Sequence, residues 1–235
     1  MKNIAIIPAR SGSKGLKDKN IKELNGLPLL VYSIQAAKDS NLFDEIMVST
    51  DSEVYAEIAR SNGASVPFLR SAKLSTDTAR SWDVVKEVLS RYKEMGRTFD
   101  SVCLLQPTSP LRVGKDIEKG YKLLKNKNAN AVAAVCEVEH SPLWSMTLPE
   151  DLSLMEFRQA IKGKGPRQNL STYYRMNGAL YIRLIQYKDD LIEILDDKEY
   201  AYIMDRKRSY DIDVLEDFEL VEYFMKKYDI EDFFK

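Results

Sequence analysis

Short β-branched runs that alternate with helix-spaced apolar residues constrain this chain more than any other feature. "NIAIIPA" reads as a buried strand, "PLLVYSIQAAKDS" as a helix and "FDEIMVST" as a second strand. "SEVYAEIARSNG" fits a helix closed by Gly63, with "ASVPFL" behind it. Beyond Arg80, the residues Trp82, Val85, Val88, Leu89 and Tyr92 recur at helical spacing, and "DSVCLLQP" returns to strand. Ile117, Tyr121 and Leu124 mark a further amphipathic helix, and "ANAVAAVCEV" a further strand. Repeated strand–helix–strand units predict an α/β sandwich on a mainly parallel sheet. "GALYIRL" and "EYAYIMD" read as the last strands, and Leu215, Phe218, Val221, Phe224 and Met225 as a C-terminal helix. Between His140 and Met176 the periodicity fades into polar turns, "KGKGPRQN" and scattered aromatic residues. The expectation is a single domain, 1–235, with 140–176 as a projecting arm.

Composition excludes several classes. A formal net charge of −1 gives no general basic face for nucleic acid. No run approaches the roughly 20 apolar residues of a membrane-spanning helix, and "NIAIIPAR" is too short an apolar stretch for a signal peptide. A cytoplasmic protein is expected. Cys103 and Cys136 each sit in an apolar run, which predicts buried thiols rather than a disulfide. With His140 the sole histidine and no clustered cysteines, zinc is disfavoured, and any metal should take oxygen ligands.

The first strand empties into "RSGSKGLKDKN", a loop dense in glycine and positive charge. Open α/β sheets bind ligands beyond the carboxyl ends of their strands, where this loop falls. Gly12 and Gly15 would let backbone N–H groups approach phosphate oxygens, while Arg10, Lys14 and Lys19 supply charge. The spacing is neither that of a P-loop nor that of a dinucleotide fingerprint. Taken alone, the loop fits a solvated basic turn as well as a phosphate site.

The wider pattern separates those readings. "IIPARSGSKGLKDKNI", "VSTD", "FLRSAKLSTDTARS", "LLQPTSPLR", "PRQ…NGALYI" and "YDID" follow one another as they do in the acylneuraminate cytidylyltransferases. Nearly the whole chain resembles that family's bacterial CMP-sialic acid synthetases. The resemblance implies a Rossmann-like three-layer sandwich of the nucleotide-diphospho-sugar transferase type, an arm used in dimerisation, and a homodimer. It implies a reaction dependent on Mg2+ (or Mn2+) that couples CTP to a nine-carbon α-keto acid sugar and releases pyrophosphate.

The resemblance also distributes roles. Arg10, Ser13 and Lys14, with Gly12 and Gly15, fall to the triphosphate, and Lys19 and Asn20 to the α-phosphate and nucleoside. Arg70, the Ala79 backbone and Ser81 fall to the cytosine. Gln106, Arg167 and Tyr181 match positions near the acceptor sugar. Asp211 and Asp213 stand two apart, so an extended backbone turns both carboxylates to one side, a donor set that suits magnesium.

Bland readings stand beside several of these. Arg70 could form a surface ion pair, and Ser81 could serve a helix terminus. Asp213 could cap the C-terminal helix, whose first turn Glu216 and Asp217 favour electrostatically. Tyr181 could be core-packed, Gln106 could merely support its loop, and Arg167 could lie exposed on the arm. Trp82 and Trp144 read as packing residues and His140 as structural.

Many relatives carry a proline where Lys17 stands, and Asp18 has no assignable role. No general base stands out. Legionaminic acid, pseudaminic acid or the eight-carbon Kdo are alternative acceptors, and GTP an alternative nucleotide. Outside enzymes, the chain could be a nucleotide-binding protein on an inactive scaffold. The intact set Arg10, Lys14, Lys19, Asp211 and Asp213 speaks against that.

Overall fold

β1 (Asn3–Pro8) shows why the first strand is apolar at successive positions from Ile4 to Ile7 rather than at alternate ones. Strand geometry sends Ile4 and Ile6 to one side and Ala5 and Ile7 to the other. Ile4 and Ile6 join a core with Val85, Val88, Leu89 and Tyr92 of α3 (Ser81–Glu94). Ala5 and Ile7 join a second core with Leu30, Val31 and Ile34 of α1 (Leu29–Asp39), Tyr55 of α2 (Glu53–Ser61), and Ile117 of α4 (Gly114–Asn126). Helices therefore cover the sheet on both faces, the condition under which parallel strands become continuously hydrophobic. The computed structural model describes residues 1–13, 15–162, 171–188 and 191–228.

The sheet runs β4-β1-β5-β7-β6-β9. β4 (Glu45–Ser49) and β5 (Ser101–Leu104) flank β1 in parallel, with Ile6 opposite Met47 on one side and Leu104 on the other. β6 (Ala131–Glu137) and β9 (Glu199–Ile203) pair in parallel, Ala133 opposite Ala201. Between these groups lies β7 (Tyr174–Lys188), antiparallel to β5 and to β6, so one strand runs against the rest of a mainly parallel sheet. The first three residues of β7, Tyr174 to Met176, lie inside the stretch read from sequence as the arm. The far end of β7 pairs antiparallel with β8 (Leu191–Ile194), a strand the sequence pattern did not announce.

A small hairpin was also missed. β2 (Glu23–Leu24) and β3 (Leu27–Pro28) are joined by Asn25 and Gly26 at φ 47 and 81, the left-handed pair of a two-residue turn. It buries Leu24 in a third core with Leu111, Ile212, and Phe218 and Val221 of α6 (Leu215–Lys227). This core fixes the C-terminal helix, and the segment leading into it, beside the loop that follows β1.

A buried ion pair joins the first turn of α4 to the segment after β9. The Asp116 carboxylate is fully buried and accepts two bonds from Arg208, at 2.6 and 3.0 Å. The Tyr202 hydroxyl donates to it at 2.9 Å and the Val113 backbone N–H at 3.0 Å. Cys103 and Cys136 are both buried free thiols, as their apolar runs predicted. Trp82 packs edge-on to Tyr181 with rings 6.3 Å apart, but Trp144 is 46% exposed and is no packing residue within this chain. It belongs to a stretch that includes a 3-10 turn, Pro142–Trp144, and α5 (Met155–Ile161), neither of which has a buried residue.

Candidate active site

Because β1, β4 and β5 are parallel, their carboxyl ends open on the same side of the sheet. A cleft of about 460 Å³ lies there. Its walls carry Arg10, Ser13, Gly15, Lys19 and Asn20 from the first loop, Arg70, Ala79 and Ser81 from the segment after β4, and Gln106 and Asp213. Three sequence-predicted residues are near but not on the wall. Gly12 sits in the loop at φ 69, Asp211 is exposed off the wall, and Tyr181 packs into the α3 core. Lys14 and Arg167 lie outside the described residues.

The loop is shaped by specific ties rather than left as a solvated turn. Ser11 donates from its backbone N–H and its hydroxyl to Asp51, at 2.7 and 2.9 Å, which fastens the loop to the end of β4. Asn20 is buried and donates to the Arg10 carbonyl at 3.0 Å. Asp18, unassigned from sequence, sits left-handed at φ 51 and accepts the Tyr55 hydroxyl at 3.2 Å. Its carbonyl accepts the N–H groups of Ile21 and Lys22 and so starts the short turn Lys19–Ile21. Lys17 is exposed.

Gly15 passes so close to the C-terminal segment that an added Cβ would stand 2.6 Å from the Asp213 carbonyl oxygen. Gly15→Ala is therefore expected to displace Asp213 and lower turnover about 10- to 100-fold, since small misplacements at a reacting centre are costly. The melting temperature should move little. Steady-state kinetics and a thermal melt check both.

Arg70 is not the exposed arginine that a bland reading would have it be. It is 7% exposed, its Nε donates to the Ser49 hydroxyl at 3.0 Å, and its Nη2 donates to the Ser49 carbonyl. Burial pushes its pKa down to about 10, the nearby Asp51 and Glu87 opposing that shift. Two of its nitrogens are thus committed to Ser49, which aims the guanidinium at the cleft it lines. Ser81 is the first residue of α3 and also lines the cleft.

Gln106 is held from two directions. Its carbonyl accepts Arg112 Nη2 at 3.1 Å, and that same nitrogen donates to the Ser33 hydroxyl at 2.6 Å. Arg112 Nε donates to the Ala179 carbonyl at 2.8 Å, so one fully buried guanidinium ties α1, the loop after β5 and the start of β7 together. Its Nη1 has no partner, and burial lowers its pKa to about 10. Gly178, at φ 76, leaves room for the Gln106 amide where any side chain would overlap it. Arg112→Met is expected to loosen this bracket, raising KM for the acceptor more than KM for the nucleotide, which separate substrate titrations would reveal.

The C-terminal carboxylates correct one expectation. Asp213 does not cap α6; the Asp217 carboxylate does, accepting the N–H groups of Asp213 and Val214 at 2.9 and 3.1 Å. Asp213 is instead turned to the cleft, where its carboxylate accepts Lys19 Nζ at 3.0 Å. Lys19 is itself buried, with a second bond to the Ile212 carbonyl at 2.6 Å. Asp211 keeps solvent contact, yet protein crowds its carboxyl enough that desolvation, followed by the Asp213 charge, raises its pKa. A Thr108 hydrogen bond, Lys19 and Arg175 pull it back down. No cluster of three or more His, Cys, Asp or Glu forms among the described residues. Two hard carboxylates within electrostatic reach of each other, Asp213 being 76% exposed, fit a hydrated magnesium ion that fills its other positions with water and phosphate.

Sequence reasoning missed Asp51, Asp77 and Thr108. Asp51 and Asp77 fall inside the quoted motifs "VSTD" and "LSTDTARS", but nothing local marks an acid as a tie for a basic loop. Asp77 lines the cleft and pairs with Arg10.

Residues 4–228 match the family model described as cytidylyltransferase. The chain belongs to the cytidylyltransferase family. An N-acylneuraminate cytidylyltransferase of Streptococcus agalactiae is 40% identical over 93% of this chain and 52% of its own length. This cytidylyltransferase-family chain thus spans about half the length of that relative. A CMP-N,N'-diacetyllegionaminic acid synthase of Legionella pneumophila is 34% identical over 96% of this chain and 97% of its own. A pseudaminic acid cytidylyltransferase of Campylobacter jejuni is 33% identical, with the same coverage. Among solved structures, a CMP:2-keto-3-deoxy-manno-octonic acid synthetase complexed with CTP superposes with a TM-score of 0.65. It covers 97% of this chain and 99% of its own at 14% identity, a likeness of fold. No helix among the described residues is long and apolar enough to cross a membrane.

Proposed function

We propose that the chain transfers the cytidylyl group of CTP to the anomeric hydroxyl of an N-acylneuraminate or a close nine-carbon α-keto acid analogue, releasing pyrophosphate. The observation that carries this reading is the lining of the cleft, which brings Lys19, Arg10 and Asp213 together with Arg70, Ala79 and Ser81. The base-facing group is a buried arginine whose direction is set by Ser49. Gln106, braced by Arg112, lines the same cleft and is the acceptor contact in this reading.

In this reading the sugar hydroxyl attacks the α-phosphorus in line while Lys19 holds its ammonium toward the oxygens on which charge develops. Arg10 and the backbone around Ser13 and Gly15 neutralise the departing pyrophosphate. Asp211 and Asp213 would hold magnesium, which supplies charge neutralisation and alignment of the phosphates when bound. Transfer to legionaminic or pseudaminic acid is the second reading, supported by the relatives named for those sugars. Pyrophosphate release should require CTP and a keto-acid sugar together. Equal release with all four nucleotides, or release independent of sugar, would contradict the proposal.

The same reading includes a homodimer formed through the arm. Leu148, Leu152 and Met155 are 60%, 68% and 67% exposed beside the exposed Trp144, more apolar surface than an isolated segment of this length ordinarily leaves in water. Light scattering at micromolar concentration should give twice the 27.0 kDa chain mass. A monomer mass would remove this part. The two buried thiols support a reducing compartment, the cytoplasm.

A further inference from the structure

We propose that Asp77 is a specificity-determining residue: it holds Arg10 in place of a phosphate, so that the cleft admits a phosphate tail readily only when a nucleoside arrives with it. This rests on the function proposed above. Arg10 Nη2 pairs with Asp77 Oδ1 while Nη1 donates to the Gly12 carbonyl at 3.3 Å. Both side chains are partly exposed and both line the cleft. The pair therefore bridges the two walls, from the basic loop to the segment between Arg70 and α3.

A carboxylate in this position opposes the ligand the rest of the loop is built to receive. Phosphate oxygens need the same Arg10 donors, and they must either displace Asp77 or sit beside a like charge. The segment carrying Asp77 is fastened at its start, where Arg70 N–H donates to the Thr50 carbonyl at 2.7 Å and Ser71 N–H to Glu87 at 3.2 Å. Between those ties and α3, local bonds run from Ser75 to the Ser71 carbonyl and from Ala79 to the Thr76 carbonyl. Thr76, Asp77 and Thr78 are exposed, so the carboxylate can swing outward without breaking into a core.

The coupling to the base follows from sequence distance. Ala79 and Ser81, two and four residues beyond Asp77, line the wall assigned to the base. A nucleoside that seats against them acts on the segment that carries the carboxylate. Free polyphosphate offers those residues nothing, and meets Asp77 unmoved.

Calorimetric titration with CTP, inorganic tripolyphosphate and cytidine, without sugar or metal, tests this on wild type and Asp77→Asn. The variant should bind tripolyphosphate about tenfold tighter and CTP about threefold tighter, the modest scale of a partly exposed charge pair, with cytidine unchanged. In the Arg10→Ala background the same substitution should bring no gain, since the competition is for Arg10. Matching melting temperatures would show that the fold is intact. Unchanged or weaker tripolyphosphate binding by Asp77→Asn, in a chain whose wild type releases pyrophosphate from CTP, overturns this inference alone. A wild type that turns over no nucleotide overturns the proposed function, whereas a tenfold gain for tripolyphosphate in that case would still support Asp77's hold on Arg10.

Discussion

Replacing Lys19 by alanine is expected to lower kcat about 10²- to 10³-fold while changing KM for CTP only a few-fold, the pattern of a contact made chiefly in the transition state. The reasoning starts from how the ammonium is held. Its stem is buried, and two of its three donors are taken by the Ile212 carbonyl and the Asp213 carboxylate. The group is thereby fixed before substrate arrives, with one donor left for the phosphoryl oxygens. A preorganised charge of this kind costs no rearrangement when the bond breaks. Lys19→Arg should not restore the rate, because a planar guanidinium cannot meet both partners and the phosphate from the same point. Steady-state kinetics on both variants, with thermal melts to show that the chain still folds, decide the matter. A loss confined to KM would assign Lys19 to ground-state binding instead.

Asp116→Ala is expected to destabilise the fold by about 3–5 kcal/mol, the usual cost of leaving one member of a buried ion pair alone. The carboxylate has no exposed surface and takes four hydrogen bonds, two of them from Arg208. Its removal takes two charged hydrogen bonds from a guanidinium that is 4% exposed and uncaps α4 at the same time. Replacing both partners with apolar residues, Asp116→Leu and Arg208→Met, should recover much of the loss, because the desolvation cost disappears with the charges. Urea unfolding of the single and double variants measures this. If the single substitution costs less than 1 kcal/mol, the pair is not the interior tie that its geometry describes.

Much of the fold could be read before the structure because its main signal is local. A strand buried on both faces is apolar at successive positions, as β1 is from Ile4 to Ile7. The helices that cover it must repeat at helical spacing, as Val85, Val88, Leu89 and Tyr92 do. What escaped depends on partners distant in sequence. "YDIDVLED" offers several acids to cap one helix, and Asp217 rather than Asp213 takes the role while Lys19, 194 residues away, pairs with Asp213. Tyr181 matched an acceptor position, but strand alternation turns it to Trp82 and the α3 core. An arginine in a loop reads as exposed by default; Arg70 is buried because the Ser49 hydroxyl and carbonyl happen to meet it. β8 is four residues long, too short for a period to declare itself.

The account stands on transfer of the α-phosphorus. CTP labelled at the α-phosphate, incubated with N-acetylneuraminic acid and magnesium, should move its label into a sugar-linked product at the rate pyrophosphate appears. Both should collapse together in Lys19→Ala. Label that stays in CTP, or passes to free CMP whether or not a nine-carbon keto-acid sugar is present, would contradict it.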